Sequence, residues 1–192
     1  STRLCLRLIS ERVSSTRVRC SINVIARASC METRLDHRRS ACSNFINKVR
    51  SRPDYTRASL ALLFIDLDGF KQINDTHGHE AGDAVLREVA ARLQASIRQT
   101  DTAARLGGDE FTVILENIKH GIPDANMLAQ KILETLQHPI QLDSVTATIS
   151  ASIGISMHHP YDERSADQLV NTADSAMYTA KHAGKNQVCV HK

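Results

Sequence analysis

The stretch Ala103-Ala104-Arg105-Leu106-Gly107-Gly108-Asp109-Glu110-Phe111-Thr112-Val113-Ile114-Leu115 sets two glycines and two adjacent carboxylates between two apolar runs. Ala103, Ala104 and Leu106 lead in, and Phe111, Val113 and Leu115 alternate with Thr112 and Ile114 on the way out. Both flanks therefore predict strands of a hairpin, at least one of them with a buried face. Glycine lets backbone approach a ligand that a Cβ would push away. A hard divalent cation such as Mg²⁺ takes oxygen ligands and keeps substrate phosphates in its shell, which a turn carrying Asp109 and Glu110 can serve if another carboxylate faces it. Taken alone, the same letters also describe an ordinary glycine hairpin with a solvated acidic tip.

The facing carboxylate comes from Leu60-Ala61-Leu62-Leu63-Phe64-Ile65-Asp66-Leu67-Asp68-Gly69-Phe70, an apolar run long enough for a buried strand that ends in Asp-x-Asp-Gly. Asp68-Gly69 reads equally well as a turn. Asp66, still inside the apolar run, does not, and beside Asp109 it makes a like-charged pair whose repulsion a bound cation relieves.

Beyond Leu60 the patterning predicts, in order, strand, helix, two strands, helix, strand, helix, strand. Val85, Leu86, Val89, Ala90, Leu93 and Ile97 recur at helical spacing over about 80–99, in a helix opened by Asp83. Met127, Leu128, Ile132, Leu133 and Leu136 do so over about 124–137, where His138-Pro139 stops the helix. Residues 145–155 alternate with β-branched side chains and predict one long strand. A last helix over about 166–182 ends before Gly184, and 187–190 supplies a short final strand. The fold class is α/β (α+β), with helices flanking a mainly antiparallel sheet. A P-loop of the G-x-x-x-x-G-K-[ST] form does not occur.

Several separated motifs together resemble the GGDEF domain, the family of diguanylate cyclases: the turn Gly107 to Phe111, Phe64 to Asp75, Gly78-His79-Glu80-Ala81-Gly82-Asp83, Ala151 to Ser156, and Tyr178 to Asn186. The resemblance covers about residues 60–190. It implies a palm-like fold shared with nucleotide cyclases and polymerases, and condensation of two GTP into cyclic di-GMP with release of pyrophosphate. It also implies two Mg²⁺ or Mn²⁺ ions per GTP site and a homodimer whose domains face each other.

By the same resemblance, Asp66, the Leu67 carbonyl and Asp109 are metal ligands. Asp109 and Glu110 are the catalytic acids, and which of them serves as base stays open. A carboxylate of ordinary pKa is a weak base toward a hydroxyl unless metal binding first acidifies that hydroxyl. Guanine calls for an acceptor and a donor together, which Asp83 and Asn74 supply; the alternatives are a helix N-cap for Asp83 and a turn for Asn74. Gly69 and Phe70 lie where the family backbone passes the phosphates. Lys181 and Lys185, four apart at the end of the last helix, are expected to reach the β and γ phosphates from one face. The family usually has Arg at the second position, so Lys185 keeps the charge and loses the bidentate fork. His77 and His79 flank Gly78, and the family reads His79 as structural. Arg98-Gln99-Thr100-Asp101 stands at the interval of the family's inhibitory site, implying that Arg98 and Asp101 bind cyclic di-GMP; a helix end followed by a turn Asp is the alternative.

The 192 residues bound the answer to one domain with an extension, and the 42% hydrophobic content is ordinary for a globule. No run of eighteen apolar residues occurs. The formal charge of +3 hides an asymmetry: residues 1–50 hold eleven Lys and Arg against three acids, and residues 51–192 hold thirteen against eighteen. The basic arm, residues 1–55, is read as an atypical N-terminal segment, poorly ordered or non-native, ahead of a GGDEF domain over 56–192. It has no sustained apolar period. It holds Cys5, Cys20, Cys30 and Cys42 without zinc-type spacing. The family segment Asp-x-Leu-Thr-Gly-Leu-x-Asn-Arg-Arg falls on Cys30 to Arg39, where only Thr33, Leu35, Arg38 and Arg39 agree. That mixture fits either divergence or a shifted reading frame upstream of about residue 55.

The leading expectation is an active, product-inhibited cyclase. The alternative is a weak module that binds GTP or cyclic di-GMP and regulates a neighbour, and a purely structural dimerisation domain leaves the retained acids unexplained. Expected partners are GTP, cyclic di-GMP, a second copy, and sensory or phosphodiesterase domains of a longer protein, with no nucleic acid polymer. The expected location is cytoplasmic, with membrane attachment of a longer protein left open.

Overall fold

The computed structural model describes residues 35–51, 59–142 and 145–191. Cys5, Cys20, Cys30 and the first part of the segment compared with the family pattern lie outside the described residues.

Helix α1 (Leu35–Arg50) is followed by β1 (Ser59–Asp68), α2 (Phe70–His77), α3 (His79–Ser96), β2 (Thr102–Gly107), β3 (Glu110–Ile118) and α4 (Ile122–Leu136). Then come β4 (Ile140–Leu142), β5 (Val145–Ala147), β6 (Ser150–His158), α5 (Ala166–His182) and β7 (Gln187–Val190). The main sheet runs β2-β3-β1-β6-β7, antiparallel except for the β6–β7 pair; β4 and β5 form a small separate ribbon. This is the expected class: a mainly antiparallel sheet between two helical layers.

β1 is the central strand and is buried on both faces, which is why its sequence runs apolar without a break. Its period of two still sorts the side chains. Ala61, Leu63, Ile65 and Leu67 join the core shared with α3 and α4, whereas Leu60, Leu62 and Phe64 join the core shared with α1 and α5. Asp66 and Asp68 continue the second series, so both carboxylates emerge on the α5 face. On β6 the residues of that face are Ser152, Gly154 and Ser156. A Cβ on Gly154 would stand 2.1 Å from the Ala173 carbonyl oxygen and 2.2 Å from Met177 N, so this glycine is what lets α5 lie directly on the sheet. Ser165 opens α5 with a capping box, accepting from Gln168 N while Gln168 accepts from Ser165 N.

Four sequence expectations change. One helix predicted between β1 and β2 is two, because Gly78 (φ 84) breaks the chain between α2 and α3. The long strand predicted over 145–155 is interrupted at Thr148-Ile149, where the chain leaves its ribbon with β4 and joins the main sheet. α3 ends at Ser96, short of the predicted 99. The segment read as lacking an apolar period carries one: Cys42, Phe45, Ile46 and Val49, at helical spacing, are buried in the α5-side core. There, burial pushes the Cys42 thiol up to about 11, which leaves it a packing group.

Candidate active site

The end of β1 and the β2–β3 turn are held together by backbone. Leu67 N donates to the Asp109 carbonyl oxygen at 3.2 Å, and Asp66 faces Glu110 in the strand register. Gly107 (φ 150) and Gly108 (φ 55) take backbone conformations that disfavour a Cβ, and Arg105 Nε donates to the Gly108 carbonyl at 3.0 Å, which fixes the tip. The backbone of Asp66, Leu67, Asp109 and Glu110 is thereby brought to one place.

Asp66 is 5% exposed, and its Oδ1 has the Lys181 ammonium at 2.8 Å as its polar partner. Burial pushes its pKa up; the Lys181 hydrogen bond opposes that, and the charges of Asp109 and Asp68 add to the rise. Burial pulls the Lys181 ammonium down, but the hydrogen bond to Asp66 and the charges of Asp66, Asp109 and Asp68 more than offset it, so its pKa stands above the ordinary value. The two shifts describe one situation, a buried acidic end of the sheet that attracts positive charge.

A cleft of about 510 Å³ opens over this end, lined by Leu67, Asp68, Gly69, Phe70, Lys71, Gln72, Asp75, Asp109, Lys181 and Lys185. Gly69 (φ 82) starts α2 in a left-handed conformation, and Phe70 is buried beneath the cleft. Lys185 is not on the helix, since α5 ends at His182; the turn that follows brings Lys185 to the cleft beside Lys181. The two lysines thus share the cleft but not one helix face.

Asn74 sits in the middle of α2 and Asp83 in the second turn of α3, so neither takes its alternative role; the N-cap of α3 is Gly78, and Asp83 is exposed. Asn74 packs against Gly82, where an ideal Cβ would be 1.8 Å from Asn74 Oδ1. Sequence reasoning missed this role of Gly82, although a glycine four residues into a helix is itself a signal of close approach. His77 closes α2 and His79 opens α3, both exposed.

Arg98 and Asp101 lie in the α3–β2 turn, away from the cleft. Asp101 is 8% exposed, and its two oxygens accept from Arg98 N at 3.0 Å and Glu116 N at 3.2 Å. Asp101 is therefore a turn-bracing carboxylate, whatever else it contacts. Arg98 is exposed on the rim of a second cavity of about 800 Å³ that also takes in Lys119, Lys131 and Met127.

Among the described residues no three His, Cys, Asp or Glu side chains converge on a ready-made metal cage. The oxygen set is two carboxylates and a carbonyl, which fits a hard divalent cation that draws its remaining ligands from phosphates and water. The buried Asp66 Oδ1, already paired with a cationic group, is the observation that supports the fit.

Residues 32–187 match the family model described as diguanylate cyclase, GGDEF domain. The chain belongs to the GGDEF family. The bifunctional diguanylate cyclase/cyclic di-GMP phosphodiesterase MucR of Pseudomonas aeruginosa is 46% identical over 129 residues, covering 67% of this chain and 18% of MucR. Diguanylate cyclase TpbB of the same species is 45% identical over 130 residues, 67% of this chain and 29% of TpbB. The crystal structure of the TpbB GGDEF domain superposes with a TM-score of 0.68 at 36% identity, covering 82% of this chain and 94% of that one. The coiled coil and GGDEF domain of DgcB from Caulobacter crescentus, crystallised with c-di-GMP, gives 0.64 at 25% identity, covering 81% and 76%. This GGDEF chain thus spans less than a third of the length of these two curated relatives. No helix among the described residues is long and apolar enough to cross a membrane.

Proposed function

We propose that this GGDEF domain condenses two GTP molecules into cyclic di-GMP and pyrophosphate. The observation that carries the reading is the buried Asp66 at the end of β1, with the Asp109 turn pinned beside it through the Leu67 N–H. Asp66, Asp109 and the Leu67 carbonyl would hold Mg²⁺ or Mn²⁺, two ions per GTP. Bound there, a divalent cation neutralises triphosphate charge and acidifies the attacking 3′-hydroxyl. Lys181 and Lys185 bind the phosphates, with the Gly69 and Phe70 backbone approaching them where no Cβ of residue 69 intervenes. Asn74 donates to and Asp83 accepts from the guanine edge. Asp109 or Glu110 receives the hydroxyl proton.

Each domain supplies one half of the reaction, so two copies must face each other. Activity per chain is then expected to rise with protein concentration in the dilute range. Arg98 is proposed to bind the product and hold two domains apart, with Asp101 contributing only the oxygen lone pairs that its backbone contacts leave over. The expected setting is cytoplasmic, within a longer regulator. Incubating the chain with GTP and Mg²⁺, then identifying the product by mass spectrometry, tests the reading. Asp109→Ala is expected to abolish cyclic di-GMP formation with little change in melting temperature, because the turn is on the surface. Full activity in that variant would refute the assignment.

A further inference from the structure

Asp68 shares the α5 face of β1 with Asp66, yet its carboxylate is already committed. Oδ1 accepts from the Ser152 hydroxyl at 2.9 Å, and Oδ2 accepts from the Ser150 hydroxyl at 3.1 Å and from Asn186 N at 3.0 Å. The last of these bonds spans 118 positions of sequence and reaches the turn between α5 and β7. That turn is unusual. Lys185 (φ 62) and Asn186 (φ 47) are consecutive non-glycine residues in the left-handed region. L-residues other than Gly, Asn and Asp rarely go there, and the conformation persists only where surrounding contacts impose it.

Four contacts impose it here. Lys185 N donates to the Ala180 carbonyl at 3.1 Å, and Gln187 Nε2 donates to the same oxygen at 2.9 Å. Gln137 Nε2 donates to Asn186 Oδ1 at 2.7 Å. The Asp68 bond is the one among these that ties the turn to the strand end bearing Asp66, so it sets where Lys185 stands relative to the acidic cleft.

We infer that Asp68 is a positioning residue. It holds the Lys185–Asn186 turn so that the Lys185 ammonium faces the polyphosphate of a bound nucleotide, and it does not itself ligate the cation. Two hydroxyl donors and an amide donor take three of its roughly four acceptor positions, an arrangement that braces backbone and orients a neighbour. The inference about the ligand rests on the GTP reading above; the inference about the turn does not.

The test is a double-mutant cycle on the whole chain, read as affinity for a non-hydrolysable GTP analogue in Mg²⁺ by calorimetry. Asp68→Ala and Lys185→Ala are each expected to weaken binding about tenfold, the scale of one lost charged contact, and the double variant no more than either single one. GMP, which lacks the outer phosphates, is expected to bind Asp68→Ala as it binds the unmodified chain. Asp68→Asn keeps an acceptor for Asn186 N and guards against misfolding of the alanine variant. It is expected to retain affinity for the analogue within about threefold and to weaken Mn²⁺ binding by less than about tenfold, the effect of removing a neighbouring charge and not a ligand. Additive losses in the double variant, or loss of Mn²⁺ binding in Asp68→Asn, would overturn the inference. Hydrogen exchange at the Asn186 amide supplies a readout without nucleotide, with protection expected to fall in Asp68→Ala. If the unmodified chain bound no guanine nucleotide, the proposed function would fail while the exchange result still decided whether Asp68 holds the turn; undiminished protection would refute that.

Discussion

Replacing Gly82 by alanine separates recognition from stability, because the three heavy atoms nearest the new methyl all belong to the Asn74 carboxamide. The ideal Cβ would lie 1.8 Å from Asn74 Oδ1, 2.8 Å from its Cγ and 3.3 Å from its Nδ2. Relieving that overlap means swinging the Asn74 carboxamide aside by about 1.5 Å, at a rotamer cost of about 0.5–1.5 kcal/mol. Alanine within a helix gains about 0.8–1 kcal/mol over glycine. The two nearly cancel. The melting temperature is therefore expected to move by no more than about 4 °C for a domain of this size. Guanine recognition has no such offset: a base edge left without its carboxamide partner costs about 1–3 kcal/mol, or about 5- to 150-fold in affinity. The assay is calorimetric titration with non-hydrolysable GTP and ATP analogues beside thermal unfolding, with Asn74→Ala as the reference. Gly82→Ala should lose GTP affinity as Asn74→Ala does, leave the weak ATP analogue unaffected, and add nothing when the two are combined. Unchanged GTP affinity would show that Asn74 does not read guanine from this position. A fall of ten degrees in melting temperature would show that Gly82 serves packing.

Three further outcomes follow from the geometry. Lys181→Gln removes the ammonium paired with Asp66, so Mn²⁺ affinity of the nucleotide-free protein should rise at least about tenfold, given the size of charge interactions at a few ångströms; unchanged or weaker Mn²⁺ binding by electron paramagnetic resonance would refute the competition. Hydrogen bonds from Arg164 hold Asp162 down to about 2, below its ordinary 3.8. A depressed carboxylate stabilises the fold above its unfolded pKa and loses that contribution as pH falls through the folded one. Asp162→Asn should therefore cost about 2 kcal/mol at neutral pH and flatten the loss of stability between about pH 4 and pH 2, and an unaltered acid limb in urea unfolding would count against the pair. Arg98→Ala should weaken cyclic di-GMP binding without changing the melting temperature. Asp101→Ala should instead destabilise by about 1–3 kcal/mol, because it strands backbone donors; equal and stable responses of the two variants would contradict the bracing role.

The parts of the fold legible in the sequence are those with a long period or a sharp stop. The central strand, the hairpin, and α3, α4 and α5 each carry several apolar repeats or a breaker, and each forms about where expected. α2 was hidden because eight residues between Gly69 and Gly78 offer too few turns for a helical period to register. The ribbon β4–β5 consists of three-residue strands, below the length at which alternation means anything. The break at Thr148-Ile149 carries no glycine or proline, so alternation reads straight through it. α1 escaped notice because its apolar stripe of four residues lies in a segment whose composition otherwise looks unlike a folded one.

The site shows a different limit. Residue types were readable from the motifs, but which group meets which is decided by strand parity and by long-range packing. Asp66 and Asp68 differ by two positions and share a face; the local sequence marks Asp68-Gly69 as a turn, but it does not show what Asp68 braces. What separates them is the far end of the chain. α5 lies close enough, over Gly154, for Lys181 to reach Asp66, and the left-handed turn after it presents the Asn186 amide to Asp68. The same two-residue step that places both acids on one face thus gives one a cationic side chain and the other a backbone donor. The first can exchange its partner for a ligand; the second cannot without releasing the turn that carries Lys185.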